Sequence, residues 1–258
     1  MKITLTCMLA ALIFVGANAQ SKKKKEAEKR QAEQTQTQVT PPVQAPPVNP
    51  DTVQQVDVLT QHFYRKYTVA VQWGDEEVAK DALYDLIVRN PGNDSLIYSM
   101  AILYYQNQKY TSSLLVGMEL LKRNPKDPAY LEISAVSSES LGVIDRALQY
   151  YESLYLLAGT TATLYKIAFL QYDIKRFAES MVNVDILLTK PDLETMKVTF
   201  NDAQNKSKDY PMKVAILNLK GLLKKEQGDN VAAKKLFAEA VAIAPDFAPA
   251  KENLAKTK

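Results

Sequence analysis

One period governs this chain. Units beginning at residues 60, 94, 128, 161 and 214 resemble one another, with spacings of 34, 34, 33 and 53 residues. The fourth position of each unit is large and apolar: Phe63, Ile97, Leu131, Leu164 and Leu217. The eighth is small in four of five units (Tyr67, Ala101, Ala135, Ala168 and Gly221), and the twentieth is small in all (Ala79, Ser113, Ala147, Ser180 and Ala233). Two antiparallel helices approach closely only where both backbones carry small side chains, so these two positions mark the contact inside a helical hairpin. Proline lacks an amide hydrogen and stops a helix. Pro91, Pro125, Pro191 and Pro245 therefore end the second helix, with Gly159 taking that place in the third unit. Gly74, Gly142 and Gly228 mark the turn between the two helices of units one, three and five. A unit of this size cannot bury its faces alone, and stacking on the next one does it.

These positions resemble the tetratricopeptide repeat family, with five repeats over about residues 58–245. The fifth is the nearest match, through Gly221, Ala233, Phe237, Ala240 and Pro245. The resemblance implies an all-α solenoid of about five helix-turn-helix repeats. Two departures bear on the spacing between repeats. The twenty-seventh position, usually alanine in the family, is Leu86, Leu120, Leu154 and Leu187 here, and the twenty-fourth is Gly117 in the second unit. After the last repeat, Phe247, Ala250 and Leu254 recur at helical spacing, with Lys251, Glu252 and Lys256 on the other side, and predict a capping helix.

The fourth spacing contains an insertion. Met196, Val198 and Phe200 alternate with Lys197 and Thr199, and Tyr210, Met212 and Val214 alternate with Pro211 and Lys213. A polar, turn-forming stretch over 201–209 separates the two runs. The pattern predicts a β-hairpin ahead of the last repeat; the other reading has Pro211 opening the next helix after a long loop. An isolated hairpin is marginal in water, so this one must lie on a repeat or on a partner. The expected organisation is residues 1–19 signal peptide, 20–57 basic and proline-rich linker, 58–190 repeats one to four, 191–213 inserted hairpin, and 214–258 repeat five with its cap.

The N-terminal segment carries the chain's basic balance. Lys2 precedes the apolar run Leu9 to Val15, and Ala17-Asn18-Ala19 places small residues where a signal peptidase cuts, so cleavage is expected between Ala19 and Gln20. The run is too short for a stable membrane anchor, which leaves no transmembrane segment after cleavage. Cys7, the single cysteine, precedes that run, which is the wrong side for lipid attachment, and cleavage removes it. An ending of this kind resembles exported proteins of Bacteroidota, and a periplasmic or secreted location follows. Six Lys or Arg against Glu26 and Glu28 make Lys22 to Arg30 a run of net charge +4, larger than the +3 of the whole chain. That run is either a solvated spacer or a contact for an anionic surface, and export argues against nucleic acid. "VTPPVQAPPVNP" then extends the arm, about 37 Å long at roughly 3.1 Å per residue.

Catalytic patterns are missing. His62 is the only histidine, no glycine-rich phosphate loop precedes a helix, and no Gly-x-Ser-x-Gly elbow occurs. Asp75, Glu76 and Glu77 sit at a helix start, where the helix dipole accounts for them. No cofactor or metal is expected. The function that remains is a non-catalytic interaction scaffold of the cell envelope. The alternatives are a structural subunit of an envelope assembly or secretion machine and, behind it, a hydrolase built from carboxylates that meet in the fold.

The family resemblance also implies where a partner docks. The first helix of each repeat lines the concave surface through its second, fifth, ninth and twelfth positions. Those columns give Tyr64, then Tyr98, Ile102 and Tyr105, then Glu132, then Tyr165, Phe169 and Tyr172. Tyrosine combines apolar area with a hydroxyl and few rotatable bonds, which suits recognition; the other reading is that these rings pack on their neighbours. Family members that grip a C-terminal carboxylate use Lys and Asn where this chain has Tyr64 and Thr68, so that mode is not implied. Asp51-Thr52-Val53 and Asp94-Ser95-Leu96 resemble an O-glycosylation motif of exported Bacteroidota proteins, with Thr52 and Ser95 as acceptors.

Overall fold

The computed structural model describes residues 57–201 and 206–257. The expected signal peptide, the basic and proline-rich arm and Thr52 lie outside these residues. The chain divides into two compact units, Met1–Arg89 and Asn90–Lys258.

In the first unit, α1 (Val58–Trp73) and α2 (Glu76–Arg89) form one helical hairpin. Asp57 caps α1 by accepting from the backbone amides of Leu59 and Thr60. Arg89, in the last turn of α2, donates to Asp57 Oδ2 at 2.7 Å and to Thr60 Oγ1 at 2.9 Å. The Arg89 guanidinium, helped by Thr60, holds the Asp57 carboxyl well below the usual carboxylate range. Ala79, Ala82, Leu83 and Leu86 are buried.

The second unit stacks four further hairpins: α3 (Asp94–Gln106) with α4 (Tyr110–Arg123), α5 (Pro128–Ser140) with α6 (Ile144–Ala158), α7 (Thr161–Asp173) with α8 (Phe177–Leu188), and α9 (Met212–Glu226) with α10 (Asn230–Ile243). The helix α11 (Ala248–Lys256) packs on α10. The side chains of Asn93, Asp127 and Thr160 cap α3, α5 and α7.

The small positions work as the spacing demands. Ala101, Ala135 and Ala168 at the eighth position and Ser113, Ala147, Ser180 and Ala233 at the twentieth are all fully buried. The serines add a bond an alanine cannot make: Ser113 Oγ donates to the carbonyl of Ala101 at 2.9 Å, and Ser180 Oγ to that of Ala168 at 2.7 Å. In both hairpins the twentieth residue thus ties directly to the eighth. Gly117 is required by a close approach, because a Cβ there would lie 2.5 Å from Ser134 Oγ on α5. The leucines at the twenty-seventh position, Leu120, Leu154 and Leu187, are absorbed into the core. At the far end Phe247 and Ala250 are buried and Leu254 is half-buried, while Lys251, Glu252 and Lys256 face water, as the capping pattern requires.

The turns inside the hairpins need a left-handed residue. Gly74, Gly142 and Gly228 supply it at φ of 71°, 74° and 81°. Gln108 and Lys175 take the same place in the second and fourth repeats at φ of 57° and 64°. A side chain in this region costs about 1–2 kcal/mol, and glycine returns about 0.5–1 of that through its freer unfolded state. Lys175→Gly is therefore expected to stabilise the chain by about 0.5–1 kcal/mol, raising the midpoint of thermal unfolding by about 1–4 °C. A lowered midpoint would mean that the lysine side chain, not the backbone turn, holds this position.

The insertion is a hairpin and also a helix start. A 3-10 turn (Pro191–Glu194) leads into β1 (Lys197–Asn201), which pairs antiparallel with β2 (Ser207–Pro211) in the register Val198 to Tyr210 and Phe200 to Lys208. Two details differ from the sequence pattern. Asn201 and Ser207 to Asp209, expected in the turn, are part of β1 and β2; their exposed side chains tolerate a strand because water covers them. Met212 and Val214, expected in the strand, belong to α9, which opens directly after Pro211 with its φ of −54°. Period-two alternation of a few residues is also compatible with the first turn of a buried helix. The hairpin lies on the last repeat, as an isolated two-stranded sheet must. Phe247 sits edge-on to Phe200 at 4.9 Å and to Tyr210 at 5.0 Å, and Lys208 pairs with Asp246. That lysine draws the Asp246 carboxyl below its ordinary value.

Candidate interaction site

Neighbouring repeats in the second unit bring their first helices together: α3 touches α5, and α7 touches α9. The face made by these helices carries the residues of the recognition columns. Tyr98 on α3 is half-buried, its ring 5.7 Å from that of Tyr130 on α5. Tyr105, two helix turns further and also half-buried, stacks at a tilt 5.4 Å from Tyr110 and reaches Ser140 Oγ at 3.5 Å. Ile102 lies half-buried between them along α3. On α7, Phe169 packs 4.5 Å from Tyr165, and Tyr172 lies 5.5 Å from Phe177.

Tyr165 does not face solvent; it is only 2% exposed. Helix α7 is enclosed around most of its circumference, with Thr163, Leu164, Lys166, Ile167, Leu170 and Gln171 buried as well. The column rule finds the side of a helix; it does not say whether neighbouring helices close over that side. Tyr64 belongs to the first unit, where it is 39% exposed on α1. Ser95 is exposed at the start of α3, where its amide donates to the Asn93 cap.

Beside the rings sits a buried ion pair of which the repeat columns announce only one member. Lys166 Nζ on α7 donates to both carboxylate oxygens of Glu139 on α5, at 3.0 and 3.4 Å. The two side chains are 7% and 8% exposed. The Tyr151 hydroxyl donates to the same carboxylate at 2.8 Å. Glu139 occupies the twelfth position of its repeat, so the column that selects Tyr105 and Tyr172 also reaches it. Lys166, at the sixth position, carries no such signal.

Burial sets the electrostatics of this face. It pushes the Tyr105 hydroxyl up to about 12, with the Ser140 hydrogen bond opposing. It raises Tyr98 and Tyr172 too, Glu132 adding to the first and Glu226 and Asp173 to the second. These hydroxyls stay protonated at neutral pH and remain available to donate. The carboxyls of Glu132 and Asp173 are also raised, both by burial first, Asp173 by the nearby Glu139 second. Neither makes a hydrogen bond or ion pair with any of the described residues. Among the described residues, no cluster of histidine, cysteine and carboxylate side chains could hold a metal ion, and no helix is long and apolar enough to cross a membrane.

The architecture is that of the tetratricopeptide-repeat α-solenoid, with a β-hairpin inserted before its last repeat. Solved structures agree. Residues 41 to the end of MamA from Desulfovibrio magneticus RS-1 align with a TM-score of 0.58 at 11% identity, over 74% of this chain and 98% of that one. YrrB, described as a TPR protein with an unusual peptide-binding site, aligns with a TM-score of 0.59 at 10% identity, over 76% of this chain and 97% of that one. At such identities the likeness shows the fold. No family model and no curated protein sequence matches the chain.

Proposed function

We propose that this chain is a non-catalytic interaction scaffold of the cell envelope that binds a protein or peptide partner on the first-helix face of its second unit. The observation that carries the reading is the row of half-buried tyrosines, Tyr98, Tyr105 and Tyr172, on one face of a fold whose first helices line up. Each combines accessible ring area with a hydroxyl that stays protonated, the combination that dominates recognition surfaces. YrrB, a protein of the same fold with a peptide-binding site, supports the reading by analogy. Export to the periplasm or beyond rests on the Ala17-Asn18-Ala19 ending, with the basic, proline-rich arm as tether or spacer.

The test is crosslinking in intact cells followed by recovery of the chain. Tyr98→Ala/Tyr105→Ala/Tyr172→Ala is expected to reduce recovery of the crosslinked partner at least about tenfold while helical circular dichroism is retained. Undiminished recovery would sink the groove reading. It would favour a structural subunit working through its second helices, where Leu115, Leu156 and Val182 stand 62%, 87% and 59% exposed.

A further inference from the structure

The charge on the tyrosine face narrows the class of partner. Glu132 on α5 holds the same fifth repeat position as Tyr98 on the neighbouring α3, Asp173 directly follows Tyr172 at the end of α7, and Glu226 ends α9, which touches α7. The Lys166–Glu139 pair ties α7 to α5 and joins the two ends into one strip. The strip's buried cation, Lys166, is already matched by Glu139. That leaves three carboxylates, Glu132, Asp173 and Glu226, for which the described residues supply neither hydrogen bond nor ion pair. The strip ends at the fifth repeat, whose twelfth position is Lys225.

Glu132 and Asp173 are exposed to solvent, and no described residue neutralises either carboxylate. Enclosure by the neighbouring helices also disfavours their charge in the absence of a partner. An ammonium or guanidinium group arriving there supplies the opposite charge. The adjoining tyrosine faces attract the same cation through their ring electrons. Anionic segments meet the opposite around Tyr98 and Tyr172: like charges at Glu132 and Asp173, with Lys166 already engaged and the other cation, Lys225, at the far end of the strip.

On the reading that this face is where a partner docks, we infer that the partner's docking segment is cationic, with lysine or arginine side chains set against Glu132 and Asp173 and along Tyr98, Tyr105 and Tyr172. Two probes test it on the whole chain by fluorescence anisotropy: fluorescein-labelled octalysine and fluorescein-labelled octaglutamate. Octalysine is expected to bind and octaglutamate not to. Glu132→Gln/Asp173→Asn is expected to weaken octalysine binding about tenfold, roughly threefold for each partly enclosed charge pair. Asp145→Asn/Glu239→Gln, a control with the same loss of net charge at exposed sites on α6 and α10, is expected to change it less than about twofold. Equal losses in the two double variants would overturn the inference by showing general attraction to an acidic surface. So would binding of octaglutamate, or octalysine binding that emerges only when Lys22, Lys23, Lys24 and Lys25 are all changed to glutamine, which would make the chain's own arm the occupant. The outcome is separable from that of the tyrosine test. If crosslinked partner is lost on Tyr→Ala but retained in Glu132→Gln/Asp173→Asn, the docking face stands and its cationic preference falls. If Tyr→Ala changes nothing, the docking face itself falls.

Discussion

Lys166→Met is expected to destabilise the second unit by about 3–5 kcal/mol, as much as the loss of a large core side chain. Methionine fits the space but leaves Glu139 as a buried carboxylate with only the Tyr151 hydroxyl, 2.8 Å away, to solvate it. The Coulomb attraction of the pair is lost while the desolvation of the carboxylate remains. Urea unfolding should show the midpoint falling with little change in slope, since the surface exposed on unfolding is nearly the same. Lys166→Met/Glu139→Met removes both charges together and should recover most of the loss, leaving a deficit of about 1 kcal/mol for the Tyr151 hydroxyl, which then lacks an acceptor. A single variant that costs less than about 1 kcal/mol would mean that water reaches the pair and that α5 and α7 do not enclose it.

Much of this architecture can be read from residues because one physical demand repeats. Helices that touch along their length need small side chains at fixed intervals. Ala101, Ser113, Ala168 and Ser180 meet that demand at recurring positions, so the fold is written several times over. The left-handed turns are written less reliably. Glycine marks three of them, while Gln108 and Lys175 adopt the same backbone because the packed helices on either side impose it. The hairpin is legible in β1, where buried Val198 sits between the polar Lys197 and Thr199, and obscure in β2, whose Ser207, Lys208 and Asp209 lie in water and need no apolar pattern. The recognition face divides in the same way. Its columns identify Tyr98, Tyr105 and Tyr172, but whether a ring on the right side of a helix stays accessible depends on how close the flanking repeats come. Tyr165 is closed over, and the Lys166–Glu139 pair reaches from α7 to α5, once the repeats are stacked. Position in a repeat is local information; enclosure is set by residues far away in the chain.

The last repeat offers the sharpest test of the demand for small residues. Phe237 on α10 is fully buried and lies directly against Gly221 on α9, where a Cβ would meet its ring atoms at 2.4, 2.7 and 2.9 Å. Phe237→Ala is expected to cost about 3–5 kcal/mol, the burial of the ring plus the cavity left behind. Gly221→Ala adds a single methyl group and is nevertheless expected to cost about 1–3 kcal/mol, because the ring it strikes has nowhere to go. Alanine's better helix propensity, worth about 1 kcal/mol over glycine, works against that penalty and makes a net loss all the more telling. The two changes should not add. With Phe237 truncated, the methyl group at 221 enters vacated space, so Gly221→Ala/Phe237→Ala should be no less stable than Phe237→Ala alone, and the coupling between the sites should be about 1–3 kcal/mol. Thermal unfolding of the four chains measures it. A neutral or stabilising Gly221→Ala in the otherwise unchanged chain would show that the ring yields and that α9 and α10 are not held at the distance only glycine permits. The reading of the eighth position as one that only a small residue can fill would then fail in the repeat where the pattern is clearest.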